Sequence, residues 1–218
     1  MNLKSLLIFC CITLPLLGLS QSSPFTKKLG IFQPILIRYD VPIEPNQSEQ
    51  PHHILQLADA TILFTKTGFA WHSKDNSQSW HPPITLNFHN CNPNPIITEH
   101  RIKNHHFTFG KIKHSFTGCS QITYHNLYPN VDWIIEVTDD VNSGFKYTWK
   151  LKPGAQPNAI KYLTNAKTSI APSKKELSIY TFSDTLIDGQ LIAFNHEGKP
   201  SNAQFVQSNN AIQIKFQQ

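Results

Sequence analysis

Apolar and polar residues alternate along much of this chain, and Gly, Pro, Asn and Asp interrupt the alternation at short intervals. A period of two marks a half-buried strand, because successive side chains leave a strand on opposite faces. "FKYTWKL" (145–151) is the clearest case. Phe145, Tyr147 and Trp149 share one face, and Lys146, Thr148 and Lys150 share the other. A strand from Asp132 to Thr138 precedes it, and "DDVNSG" between the two carries turn residues. Upstream, "ILQLADATILFTKTGFAWHS" (54–73) reads as strands separated by a turn at Ala58-Asp59-Ala60 and a break at Gly68. "PILIRYDVPI" (34–43) is a bounded β-branched run. Residues 84–103 hold a strand, an Asn-Pro turn run and a second strand, and 104–118 read as a hairpin or bulged strand pair about Gly110. Further strands are predicted at 159–164, 177–182, 190–195, 203–207 and 211–216. After the leader, no helical stripe interrupts this pattern. The predicted fold is all-β, an antiparallel and sandwich-like arrangement of a dozen or so strands. Its halves, 21–120 and 121–218, form one domain or two closely packed ones.

The first twenty residues break the pattern. Lys4 is followed by an uncharged apolar run from Leu6 to Leu17, then by Gly18-Leu19-Ser20. A short basic start, an apolar core and small residues describe a secretory signal cleaved before Gln21. The run is shorter than the roughly 20 residues a membrane helix needs. Cys10 and Cys11 sit inside the apolar run, whereas a lipid anchor needs its cysteine at the end. The reading is therefore an exported chain with no transmembrane segment after cleavage, in the periplasm or at the cell surface.

Export changes the meaning of the remaining residues. Two of the four cysteines leave with the leader, and an oxidising compartment favours a disulfide between Cys91 and Cys119 over free thiols. Losing Lys4 lowers the formal charge of +5 by one, and the remaining lysines are scattered. No basic stripe points to nucleic acid. Ten of the 11 histidines lie between His52 and His125. Neutral imidazole binds zinc or copper, so His100, His105, His106 and His114 are the first candidates for a metal site. Against this, adjacent histidines on a strand face opposite ways, and solvent-exposed histidines need no ligand. Trp71 and Trp80 flank the polar loop "HSKDNSQS" and are candidates for stacking against a sugar, while Trp133 and Trp149 belong in the core. Asp132 and Glu136 are about 13 Å apart on an extended strand, beyond the roughly 5–10 Å of a glycosidase pair. Asp140, Asn142 and Gly144 match a calcium loop only in part, without its distal acid. No nucleophile elbow, zinc-protease helix or phosphate loop is present, and no cofactor is expected.

Several of these stretches together resemble a known family. "LYPNVD" (127–132), "YTW" (147–149), "KPGAQP" (152–157) and Ile160 follow, in order, a signature of the form L-Y-P-G-I-D, Y-D-F, P-G-A-D-P-x-x-I. Phe25, Lys28, Gly30 and Phe32-Gln33, followed by "FTKTGFAWH", resemble its opening F-x-x-N-x-G-Q-W and x-G-F elements. The closing "DGQLIAFNHEGKPSNAQFVQSNNAIQIKF" is similar to its final strands. The family is an N-terminal β-rich domain of unknown function in Bacteroidetes-type cell-surface proteins. There it often precedes β-propeller-type (SBBP) repeats and PKD-like modules; here it reads as freestanding. Thr148 and Gln156 replace two of its aspartates, so no ligand role resting on those acids carries over. The resemblance implies surface or envelope biology and supplies no activity. The preferred reading is an exported, non-enzymatic envelope or cell-surface protein with a structural or binding role, through a protein or glycan contact. A periplasmic zinc- or copper-binding protein using the His-rich region is the alternative, and a glycan-active enzyme a third.

Overall fold

The computed structural model describes residues 6–13, 36–38, 51–57, 60–73, 79–109, 112–137, 145–182, 185–209 and 211–216. Side chains are described at these positions except at 6–13 and 102–117. These residues form 17 strands, all paired antiparallel, and one 3-10 turn at Pro157–Ala159.

The organising element is a long ribbon of β7 (Ile96–Phe109) and β8 (Ile112–Tyr128), paired along its whole length. The opposite edge of β8 is divided. Its Gly118–Cys119 segment pairs with β2 (Leu36–Arg38), and from Gln121 onward it pairs with β9 (Val131–Val137). One strand therefore serves two sheets, and Arg101 of β7 takes φ 55 opposite that division. Such bends are how a strand passes between the layers of a sandwich.

Beyond β9 the first sheet continues through β10 (Phe145–Leu151), β1 (Leu6–Thr13), β14 (Thr185–Phe194), β13 (Leu177–Tyr180) and β12 (Thr168–Ile170). The short β15 (Pro200–Ser201) lies on the end of β14. Beyond β2 the second sheet runs through β3 (His53–Gln56), β4 (Ala60–Thr65), β5 (Gly68–Ser73), β6 (Ile84–Phe88), β11 (Lys161–Thr164), β17 (Ala211–Phe216) and β16 (Ala203–Ser208). The backbone of Lys174 and Lys175 links β14 of the first sheet to β16 of the second. Lys174 accepts from Phe205 of β16 at 2.8 Å, and Lys175 accepts from Leu191 of β14 at 2.9 Å. β8 runs through the 120/121 division, and β6 of the first half pairs with β11 of the second. The two halves share one core.

That core is aromatic. Trp133 of β9 is 1% exposed and packs edge-to-face on Phe88 at 4.7 Å, with Tyr124 at 4.8 Å and Trp149 stacked at 5.9 Å. Phe69 is stacked with it at 6.4 Å. Trp133 thus touches β5, β6, β8 and β10, and so joins both sheets. Phe145, Tyr147 and Trp149 are all buried, on the face their alternation predicts. Tyr128 ties the end of β8 to β11, donating to the Lys161 carbonyl at 2.8 Å.

The turns follow their residues. Tyr128 pairs with Val131, so Pro129 and Asn130 form a two-residue connection, and Asn130 takes φ 61. Lys152-Pro153-Gly154-Ala155 closes with Ala155 N–H on the Lys152 carbonyl at 3.0 Å, with Gly154 at φ 82. Proline followed by a residue of positive φ is the type II arrangement. Predicted strands at 54–73, 84–103 and 145–151 are found, while β12 and β15 lie on stretches too short and polar to show a period. The expected turn at 139–144, with its partial calcium spacing, lies outside the described residues.

The expected disulfide between Cys91 and Cys119 is not formed. Asn92, next to Cys91, donates to the Leu127 carbonyl at 2.8 Å, which places Cys91 beside the far end of β8. Cys119 lies eight residues back along that strand, roughly 25 Å by strand rise. A disulfide needs Cα atoms within about 7 Å.

Trp133→Ala should cost about 3–5 kcal/mol in urea unfolding, whereas Trp80→Ala should stay within about 0.5 kcal/mol. Gly68→Ala should also be severe, because an added Cβ would lie 2.0 Å from the Leu86 carbonyl oxygen. Equal midpoints for the two tryptophan variants would refute the assignment of Trp133 as the central packing residue.

Candidate functional site

Two regions concentrate chemistry. The first lies where the sheets divide. His53 of β3 pairs with Arg38, and Cys119 of β8 pairs with Leu36 two positions along β2. Cross-strand partners share a face. Leu36, Leu55 and Cys119 are buried there, and so is His53, at 3% exposed. Glu99 of β7 reaches the same spot, its Oε1 lying 2.9 Å from His53 Nε2 and accepting from Arg38 Nε at 2.7 Å. The ligand-capable atoms of His53, Glu99 and Cys119 lie within 4.8 Å of one another. A hydrogen-bonded chain continues behind His53. Its Nδ1 meets His52 Nδ1 at 2.5 Å, His52 Nε2 meets the Tyr124 hydroxyl at 3.0 Å, and Tyr124 donates to the Thr65 carbonyl at 3.0 Å.

Electrostatics define what this cluster does. Burial and then the neighbouring His53 push His52 down to about 4, so its ring is neutral at pH 7. Burial pushes Glu99 up, but hydrogen bonds from Arg38 and His53 and their charges outweigh it and hold the carboxyl below its ordinary value. Burial and then the Glu99 charge push the Cys119 thiol up to about 12. A nucleophilic cysteine needs the opposite shift. The set therefore has the composition of a Cys-His-acid triad without an activated thiol.

The second region is an exposed groove of about 230 Å3 beside β6 and β13, lined by Pro82, Pro83, Asn165, Lys167, Tyr180 and Phe182 among others. Phe182 is 66% exposed, and its ring is braced by stacking on His81 at 5.1 Å. The Lys167 ammonium sits 5.8 Å from the Tyr180 ring centroid, and the Tyr180 hydroxyl bonds Ser169 at 2.9 Å. Asn165 crosslinks the rim, accepting from Thr85 N–H at 2.9 Å and donating to the Pro83 carbonyl at 3.0 Å. Trp80, beside His81, is 54% exposed.

The candidates from sequence divide accordingly. Trp80 is at the surface, but Trp71 is 3% exposed, between Ile62 of β4 and Ile84 of β6. It adjoins a polar loop in sequence, yet its strand is interior to the second sheet. His100 is exposed and shares the Thr98 hydroxyl with His125, at 3.1 and 2.8 Å. The side chains of His105, His106 and His114 lie outside those described. Among the described residues, the one group that could hold a metal is His53, Glu99 and Cys119. Sequence reasoning missed Glu99 because no nearby residue marks it, and missed Tyr180 and Phe182 because each ends an ordinary strand pattern. Asp132 and Glu136 serve as structural ions. Asp132 is buried against Lys152 at 2.7 Å, and Glu136 lies 3.8 Å from Arg101.

His52 titrates below its ordinary 6.5 in the folded state, so the unfolded chain takes up a proton first as pH falls. The stability it contributes is complete above pH 6.5 and is lost between 6.5 and about 4. Glu99, also lowered, adds loss in the same direction as pH falls through the acid range. Urea unfolding should show a decline of about 1–3 kcal/mol over this window. His52→Gln should flatten it, and a wild-type curve already flat there would sink this account.

Comparison with curated proteins and with solved structures finds no match. One family profile does match. It is a domain of unknown function, DUF7948, and it covers residues 44–218, which take in β3 to β17, the groove and all of the first region except Leu36 and Arg38 of β2. The chain belongs to the DUF7948 family.

Proposed function

We propose that this protein is an exported, non-enzymatic β-sandwich protein of the envelope or cell surface, and that it works by binding a glycan in the groove beside β13. The observation that carries this reading is the pair of exposed rings, Tyr180 and Phe182, held in place before any ligand arrives. Saccharides present C–H faces that pack on aromatic rings and hydroxyls that need hydrogen-bonding partners. The groove offers both, with Lys167 and Asn165 at its edge. Fixed aromatic side chains lose little conformational entropy on binding. At about 230 Å3 the groove is smaller than a typical small-molecule pocket and suits one sugar ring of a longer chain. The reading also draws on the leader-like first twenty residues and on the likeness to Bacteroidetes-type surface proteins whose similar domain precedes SBBP and PKD-like modules. The high position of the Cys119 thiol supports a non-enzymatic role.

A second reading, a protein contact, is favoured by β1. Leu6–Thr13 pairs with β10 on one edge and β14 on the other. Cleavage before Gln21 would remove that strand and leave its place to another, and strand addition from a partner chain is a known mode of recognition.

Mass spectrometry of the exported fraction should find an N-terminus at Gln21. Calorimetry against envelope polysaccharide fragments should detect binding, and Tyr180→Ala with Phe182→Ala should weaken it at least about tenfold, or roughly 1.4 kcal/mol, with an unchanged melting temperature. Cross-linking in the native envelope separates the two readings. A reproducible protein partner without saccharide binding would overturn the glycan assignment and favour strand addition.

A further inference from the structure

We propose that His53, Glu99 and Cys119 form a binding site for a single divalent, thiophilic metal ion of the zinc class, at the point where β8 passes from one sheet to the other. The inference is independent of the glycan groove. It also differs from the histidines that the sequence singled out.

The geometry comes first. Three different donors, an imidazole nitrogen, a carboxylate oxygen and a thiol sulfur, converge from β3, β7 and β8 with their atoms within 4.8 Å of one another. Zinc binds nitrogen and oxygen at about 2.0–2.2 Å and sulfur at about 2.3 Å, so a tetrahedral ion separates its donors by roughly 3.3–3.8 Å. The widest separation must close by about 1 Å, and the 2.9 Å His53 Nε2–Glu99 Oε1 pair must open by a few tenths of an ångström, to reach that spacing.

The second argument is the direction of the hydrogen bonds. The Tyr124 hydroxyl donates to the Thr65 carbonyl, so its oxygen is available to accept from His52 Nε2–H. In the His52 tautomer that donates from Nε2 to this oxygen, Nδ1 carries a lone pair and accepts from His53 Nδ1–H. This leaves the lone pair of His53 Nε2 aimed at the Glu99 carboxylate, 2.9 Å from Oε1. Two lone pairs at that distance repel unless a positive species lies between them. That species is either one proton or one metal ion. A histidine that donates its second nitrogen to an outer partner, with tautomer and ring orientation fixed, is the arrangement found behind metal-bound imidazoles.

The donor set selects the ion. Calcium and magnesium prefer sites built from oxygen alone, whereas a thiolate beside an imidazole selects zinc or a softer ion. Arg38 does not close the site. Its guanidinium holds Glu99 Oε1, but its side chain is 58% exposed and can withdraw into water while Glu99 turns to the ion. Three protein donors leave the fourth tetrahedral position to a water or an exchangeable ligand.

The test uses the full chain, stripped with a chelator and titrated with zinc(II) alone by calorimetry, and then with cobalt(II) as a spectroscopic probe. One equivalent of zinc per chain should bind. Cobalt should give a thiolate charge-transfer band in the near ultraviolet together with tetrahedral d–d bands. Cys119→Ser should abolish the charge-transfer band, and both Cys119→Ser and Glu99→Gln should weaken zinc binding by at least about tenfold. Cys91→Ser, and His105→Ala with His106→Ala, should leave spectrum and stoichiometry unchanged. Circular dichroism checks each variant, and if Cys119→Ser does not fold, Glu99→Gln decides. The proposal is overturned by the absence of stoichiometric binding, by cobalt bound without the charge-transfer band, or by binding that survives Glu99→Gln and is lost with His105 and His106.

Discussion

A strand has two edges and must satisfy the hydrogen-bonding groups along both, and β8 does so with three partners. Seventeen residues long, it pairs with β7 on one edge and with β2 and then β9 on the other. Everything on either side takes its position from that division. The chain can leave one layer for the other there without stranding backbone groups, which would be costly in the interior. Trp133 then fills the space the division opens, touching rings from both layers. Hydrogen bonding fixes the topology, and the aromatic cluster supplies the buried area that holds the layers together.

The same division explains why charged groups are tolerated so near the core. Where a strand bends between layers, side chains that would leave by opposite faces turn toward one interior. His53, Glu99 and Cys119 are drawn together in this way, and hydrogen bonds link Arg38, Glu99, His53, His52, Tyr124 and Thr65 in one chain. Such links offset part of the cost of placing polar groups beside a core. The groove beside β13 is positioned differently. It lies away from the division, where β13 and the segment before β6 end and expose rings that no further strand covers.

Much of the architecture was legible in the residues. Period-two alternation placed Phe145, Tyr147 and Trp149 inward, and the break at Gly68 falls where β4 ends and β5 begins. These features depend on neighbours in the chain, so the chain shows them. Trp71 misled because its loop is polar, although its strand is covered by β4 and β6. The Cys91–Cys119 pairing rested on a count of cysteines, and a count carries no distance. The His-rich region drew attention to His100, His105, His106 and His114, while the cluster that formed took one histidine, one acid and one cysteine from three strands.

The sequence by itself determined the antiparallel all-β class, most strand positions and the aromatic character of the core. Each follows from side-chain periodicity and local backbone preference. Only the tertiary structure decided which strand would be shared, that Cys119 lies far from Cys91 and close to His53 and Glu99, and that Tyr180 and Phe182 flank Pro82 and Pro83. Those outcomes depend on contacts between residues far apart in the chain, set by which strand edges meet. A single sequence records no trace of that choice, because any two strands of similar alternation could have paired.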